Sequence, residues 1–172
     1  MNITVIGLGK IGLPLAVQYA SRGHKVMGAD INPETVRLVN AGQEPFPGEA
    51  MLAETLHEQV TSGRLSATTE TAAAVKDSDA VVLVVPLYVD DEGRPDYAWM
   101  DAATREVAIG LQPGTLVSYE TTLPVGTTRD RYAPMLEEGS GLSAGEDFHL
   151  VFSPERVFTG RVFADLRKYP KL

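Results

Sequence analysis

Hydrophobic residues fall along this chain in two rhythms. Dense apolar runs occupy 3–6, 25–29, 65–68, 80–85, 115–119 and 149–152. Each has the length of a strand. The run Ala-Val-Val-Leu-Val-Val at 80–85 leaves no polar position on either face, as a strand buried on both sides of a parallel sheet requires. Between the runs, apolar residues return every three or four positions. That spacing predicts helices over 10–22, 33–40, 49–61 and 97–110, and another that begins at Pro124 and Val125 and fades near Glu138. Boundary residues agree with this division. Pro14 falls in a first turn, where its missing N–H costs little, and Gly23, Gly42 and Gly63 stand at helix ends. Asn32 precedes Pro33 at a first helical position, and Asp96 can cap the helix after it. Residues 43–48 and 88–95 read as loops, 139–145 as a flexible surface loop, and Arg167 with Lys168 as a basic turn. Strands alternating with helices predict an α/β, doubly wound Rossmann-type fold, a mostly parallel sheet with helices on both faces. The default strand order is 3-2-1-4-5-6, with a ligand crevice at the carboxyl ends of the strands. Those ends carry Gly7, Asp30, Pro86, Thr121 and Ser153.

The first strand runs directly into Gly7, Gly9 and Gly12 at G-x-G-x-x-G spacing. Gly7 permits a tight turn out of the strand. Gly9, without a side chain, lets a pyrophosphate approach the backbone, and Gly12 lets the helix lie close to the sheet. Lys10 and Ile11 complete the loop at the helix N-terminus, where free N–H groups and the positive dipole end favour phosphate. Asp30, ending the second strand, can accept bonds from an adenosine ribose and would repel a 2′-phosphate, which points to NAD over NADP.

Composition narrows the partners. The chain has 172 residues, which suits one domain, and 44% hydrophobic content supports a sizeable core. Net charge is −8, so no strong basic stripe is available for nucleic acid or an anionic membrane. Cysteine is absent, which removes disulfides and thiolate metal sites. His24, His57 and His149 are scattered without metal-ligand spacing, and no metal is expected. No basic n-region with a long apolar segment opens the chain, and a cytoplasmic protein is the expectation. Trp99 reads as a packing residue on its helix.

Two further segments stand at the same sheet edge: Glu120-Thr121-Thr122-Leu123-Pro124-Val125-Gly126-Thr127-Thr128 and Ser153-Pro154-Glu155-Arg156-Val157-Phe158-Thr159-Gly160-Arg161. With GLGKIGLPLA at the start, they resemble the UDP-glucose/GDP-mannose dehydrogenase family of nucleotide-sugar 6-dehydrogenases over nearly the whole chain. The resemblance implies a two-step, NAD-dependent oxidation of a UDP-sugar C6 alcohol to a carboxylate. It implies that Thr122 and Glu155 hold a water in the active site, with Glu155 in acid/base roles. It also implies that Thr122, Pro86 and Leu87 lie against the cofactor. The family often has Thr where Leu87 stands, so a hydroxyl contact there is lost or made by backbone. Thr35 replaces a basic residue that some members place five positions after the ribose acid. SPERVFTGR is more similar to members acting on UDP-N-acetylhexosamines than to those acting on UDP-glucose.

By the same resemblance, residues 1–172 are the NAD-binding domain, a truncated or isolated N-terminal part of a longer enzyme that is homo-oligomeric when complete. The catalytic Cys and the substrate domain are not in this segment, so the chain alone is expected to be inactive. Read from the residues only, Thr122 could instead cap the following helix, and Glu155 could pair with Arg156 or Arg161. A hydroxyacid-type dehydrogenase, an NAD-sensing module and a methyltransferase also open with a glycine loop. The first lacks the two later motifs, and the last is disfavoured by Gly12.

Overall fold

The computed structural model describes residues 1–169, apart from the side chain of Arg167; that half of the expected basic turn lies outside the described residues. In chain order the strands are β1 (Asn2–Ile6), β2 (Lys25–Ala29), β3 (Leu65–Thr68), β4 (Ala80–Leu83), β5 (Tyr88–Val89), β6 (Pro95–Asp96), β7 (Leu116–Tyr119) and β8 (His149–Phe152). The helices are α1 (Gly12–Ser21), α2 (Pro33–Asn40), α3 (Leu52–Thr61), α4 (Thr71–Val75), α5 (Ala98–Gly110), α6 (Ala133–Ser140) and α7 (Val162–Lys168). Six strands form one sheet in the order β3-β2-β1-β4-β7-β8, every neighbouring pair parallel. Counted over that sheet alone, the order is the doubly wound one expected from the alternation of elements.

Both faces of the sheet are covered, and strand periodicity divides the core. Ile3, Val5, Val26 and Val82 point to one side and pack with Leu13, Val17, Leu52, Leu56 and Phe163 of α1, α3 and α7. Ile6, Val81, Leu83 and Tyr119 point to the other and meet Val75, Met100, Val107 and Leu136 of α4, α5 and α6. β4 supplies both clusters, which is why its sequence shows no polar alternation. Each fully buried Val or Leu contributes about 1.5–3 kcal/mol. Thr4 is the one polar residue of β1 aimed inward; its hydroxyl meets Ser78 Oγ at 2.7 Å and donates to Ala74 O. At the β3 edge, the Asn40 amide donates to Ala67 O and accepts from Ala67 N–H, taking the place of a neighbouring strand.

Several boundaries differ from the periodicity. α3 starts at Leu52 rather than at 49, because Met51 has left-handed backbone (φ 66°). The helix expected from Pro124 is delayed. Gly126 (φ 89°) turns the chain first, and a π-helical turn, Thr128–Tyr132, leads into α6. α6 runs on to Ser140, and the segment after it is tied, with Ser143 N–H donating to Asp147 Oδ2 and Asp147 N–H to Ser143 O. The 88–95 loop contains the small β5–β6 hairpin. α4 and α7 are not marked by periodicity, since five and seven residues are too few to show it.

The turn from β1 into α1 is the tightest of the glycine approaches. Gly7 is left-handed (φ 88°), and a Cβ on Gly12 would stand 1.8 Å from Gly7 O. Gly12→Ala should therefore force β1 and α1 apart and destabilise at or beyond the about 1–3 kcal/mol typical of overpacking. Thermal and urea melts of the variant check this; an unchanged melting temperature would show that the loop relaxes freely.

Candidate functional site

The carboxyl ends of β1, β2, β4, β7 and β8 lie along one edge of the sheet, and the candidate residues follow that edge. Gly7, Gly9, Asp30 and Pro86 line a single cleft of about 310 Å³, together with Ile31, Val84, Val85, Thr71, Trp99, Ala102, Ala103 and Glu106. Its walls are mostly apolar with a few convergent polar groups, the composition of a small-molecule site. Gly12 lies beneath the loop, and Ile11 stands at the N-cap of α1. Lys10 lines a separate cavity instead.

The three loop glycines are glycine for different reasons. Gly7 and Gly12 are required by the protein itself, through backbone conformation and close approach. Gly9 is not: its φ is ordinary, and a Cβ there would meet nothing within 4 Å. The N–H groups of residues 9–12 donate to no acceptor among the described residues, and α1 has no side-chain cap. A helix N-terminus with open donors and an unobstructed Gly9 fits the diphosphate of a dinucleotide.

Asp30 has a structural duty that spacing did not reveal. Its Oδ2 accepts from Leu8 N–H (2.8 Å) and its Oδ1 from Asn32 N–H (2.9 Å). The carboxylate thus ties the glycine loop to the end of β2 and is fixed in place. Each oxygen keeps lone-pair capacity for a ligand hydroxyl. Trp99 corrects the packing expectation. It is 54% exposed, stands edge-on to Tyr88 at a centroid distance of 5.2 Å, and lines the cleft. Its place follows from Asp96, whose Oδ1 accepts from Ala98 N–H as α5 begins. Leu87 is half-buried against the core cluster that contains Met100, so its side chain turns inward and does not line the cleft, contrary to its expected place against the cofactor. Ile31, Thr71 and Glu106 were not singled out by sequence, because no motif spacing links them to the glycine loop.

Thr122 and Glu155 come to neighbouring strand ends. Ser153 N–H donates to Tyr119 O, and Glu155 N–H donates to Glu120 O (2.9 Å). Thr121 Oγ1 donates to Val85 O (2.7 Å), joining this turn to the Pro86 loop. Thr122 is exposed and lies well before the helical turn at Thr128, so it is not a helix cap. Arg161 pairs with Asp165 rather than with Glu155. Partial burial raises the Glu155 pKa above the ordinary carboxylate value, with Arg156 opposing. Burial also pushes the Tyr19 hydroxyl up to about 12, with the Glu155 charge adding to it, so α1 places a phenol beside this carboxyl. Farther along, Asp165 holds the segment from below: its Oδ2 accepts from Phe158 N–H and Arg161 Nε, and the Arg161 hydrogen bond keeps its pKa low. No cluster able to hold a metal ion occurs among the described residues.

Residues 1–172 match the family described as "UDP-glucose/GDP-mannose dehydrogenase family, NAD binding domain". The chain is 39% identical over 168 residues to the UDP-N-acetyl-D-mannosamine dehydrogenase of Pyrococcus horikoshii, covering 96% of this chain and 39% of that protein. Among solved structures it resembles NDP-N-acetyl-D-galactosaminuronic acid dehydrogenase from Methanosarcina mazei Go1, with a TM-score of 0.92, 33% identity, and 99% of this chain and 38% of that one covered. A ternary complex of GDP-mannose dehydrogenase from Pseudomonas aeruginosa superposes with a TM-score of 0.91 at 30% identity, covering 96% and 38%. The chain thus spans about two fifths of the length of these relatives.

The raised Glu155 pKa has a sign that can be checked. A carboxyl that holds its proton more tightly folded than unfolded stabilises the fold fully below its unfolded pKa. That contribution is lost as pH rises through its folded pKa. Glu155→Gln should remove this dependence, which sets in above the ordinary glutamate range, without unfolding the chain. Carboxyl NMR titration should place the Glu155 midpoint above that of an exposed glutamate; a midpoint at or below it would refute the burial argument.

Proposed function

The chain belongs to the UDP-glucose/GDP-mannose dehydrogenase family, and from that premise we propose that residues 1–172 form the cofactor domain of a nucleotide-sugar 6-dehydrogenase. The domain would hold NAD, and the complete enzyme would oxidise the C6 alcohol of a UDP-sugar to a carboxylate. The observation that carries the reading is Gly9, a glycine with open space before it and no internal reason to be glycine. Gly7, Lys10, Ile11 and Gly12 supply the loop backbone, Asp30 the acceptor for the adenosine ribose, and Pro86 the wall on the β4 side. A UDP-N-acetylhexosamine is the favoured substrate class. It is supported by the SPERVFTGR segment and by relatives named for UDP-N-acetyl-D-mannosamine. A cytoplasmic, homo-oligomeric enzyme belongs to the same reading, through the family resemblance. No helix among the described residues is long and apolar enough to cross a membrane.

Held by the glycine loop and Asp30, NAD would supply the hydride acceptor for the alcohol carbon. The chain's own groups do the proton work. Glu155, with its pKa raised by burial, is poised to take and return a proton at its carboxyl oxygens nearer neutrality than an exposed glutamate. The Thr122 hydroxyl can hold a water beside it without adding charge. The hydroxyl of Tyr19, pushed up to about 12, stays protonated across the working pH range. These 172 residues contain no cysteine, so they supply no thiol nucleophile for a covalent step in the second oxidation.

Titration with NAD should change the emission of Trp99, the only tryptophan and a wall of the cleft. NAD should bind at least about tenfold more tightly than NADP, roughly 1.4 kcal/mol, because a 2′-phosphate would meet the anchored Asp30 carboxylate. Gly9→Val should abolish binding with an unchanged circular dichroism spectrum. Equal affinity for the two dinucleotides, or binding retained by Gly9→Val, would refute the cofactor assignment. The chain by itself should form no NADH from UDP-glucose or UDP-N-acetylhexosamines.

A further inference from the structure

The end of β7 brings a second acid to the Glu155 segment. Glu120 directly follows that strand and is 4% exposed, although it carries a carboxyl group. Burying a carboxylate is costly unless it is paired, hydrogen-bonded or protonated. Strand pleat and register fix the side it faces. Ser118 lies opposite Val82 across the β4–β7 ladder, and Val82 belongs to the core packed against α1 and α3. The Ser118 hydroxyl, itself buried, donates to Glu120 Oε1 at 3.0 Å, so the Glu120 carboxyl stands on that same side. Tyr19 of α1 packs on the same cluster, and the Glu155 charge acts on its hydroxyl, which puts the Glu155 carboxyl on the α1 side as well. The two residues are also joined through the backbone, Glu155 N–H donating to Glu120 O at 2.9 Å. Two acids bonded at the main chain and turned to one side of the sheet meet where little water reaches them. A neutral side chain of the same shape would close this strand end at a lower desolvation cost, so packing does not account for the acid.

We propose that Glu120 is a positioning residue for Glu155, and that the two carboxyl groups share one proton across the strand ends. Like charges held close in a site of low dielectric do not both ionise; the pair keeps one proton and one negative charge. With the proton on Glu120, Glu155 is an acceptor. With the proton on Glu155, it is a donor. A proton taken up by the acceptor form leaves both carboxyl groups neutral, and its return restores the single charge. The other titratable groups around Glu155 fit this balance. Tyr19 from α1 stays protonated, and Arg156, in the same segment, opposes the effect of burial and balances the one negative charge that remains. Asp165 of α7 is occupied by Phe158 N–H and Arg161. Only the use of the shared proton in an oxidation rests on the proposed dehydrogenase function.

The test follows the side-chain carboxyl ¹³C signals of Glu120 and Glu155 against pH in this chain. Sharing predicts that both signals move in two steps common to the two residues, the upper one above the ordinary glutamate range. Glu120→Gln keeps the shape and removes the acid. The Glu155 curve should then collapse to a single step, its midpoint at least about half a pH unit below the upper step of the parent. Glu120→Asp keeps an acid and should restore two steps, which a merely structural role at this position would not do. Glu155→Gln should reduce Glu120 to a single step in the same way, and it decides the matter if Glu120→Gln does not fold. A Glu155 curve unchanged by Glu120→Gln, or a Glu120 curve unchanged by Glu155→Gln, refutes the shared proton. Trp99 emission during NAD titration reads the cofactor assignment separately. A chain that leaves Trp99 unchanged with NAD refutes that assignment, while the carboxyl curves alone decide the pair.

Discussion

Between Gly12 and the carbonyl of Gly7 there is room for a hydrogen atom and nothing larger. That approach seats α1 directly on the end of β1 and leaves the N–H groups at the start of the helix open at the sheet edge. The rest of the site is arranged around this junction. Gly7 N–H donates to Ala29 O, and Leu8 N–H donates to Asp30, so the ends of β1 and β2 are locked together through the loop. On the other side Val84 N–H donates to Ile6 O, which carries the same registration to β4 and the Pro86 wall. A longer side chain at position 12 would disturb the anion-binding end of the helix and the acid beside it together.

A chain of net charge −8 that holds an anionic dinucleotide cannot rely on its overall field. It relies on local dipoles and on carboxylates whose charge is assigned to structural partners. Asp30 holds two backbone N–H groups, and Asp165 takes Arg161 and Phe158 N–H. Asp101 is bound by Arg131, which also lies over the Tyr97 ring at 4.4 Å and fastens α5 to the helical turn after Gly126. Glu155 differs from Asp165: burial outweighs the opposing Arg156 charge and raises its pKa, which is the condition for a group that exchanges protons.

The segment carrying Glu155 is held at both ends and open in the middle. β8 and the Glu120 carbonyl fix its start, and Asp165 with the 46–51 loop fixes its end. The same loop bounds the cavity over Lys10. That cavity and the Glu155 segment therefore share one support, and the strain at Met51 lies within it.

Much of this was legible in sequence. Strand and helix periods differ, so β2, β3, β8 and α2 appear in the apolar pattern at their observed bounds. An all-apolar β4 implies helices on both faces, and strand–helix alternation implies the doubly wound order, because parallel neighbours need crossovers. Glycine spacing marked the loop, since backbone conformation and close approach are local demands. What tertiary structure decided depends on atoms brought together from distant positions. The anchoring of Asp30, the exposure of Trp99 beside the cleft and the inward turn of Leu87 are such cases. So are the phenol of Tyr19 beside Glu155 and the closure of residues 46–49 over Lys10. Local spacing specifies which residues share an element or a strand end. Burial, desolvation and partner choice arise only when elements pack, and those set the chemistry of each carboxylate.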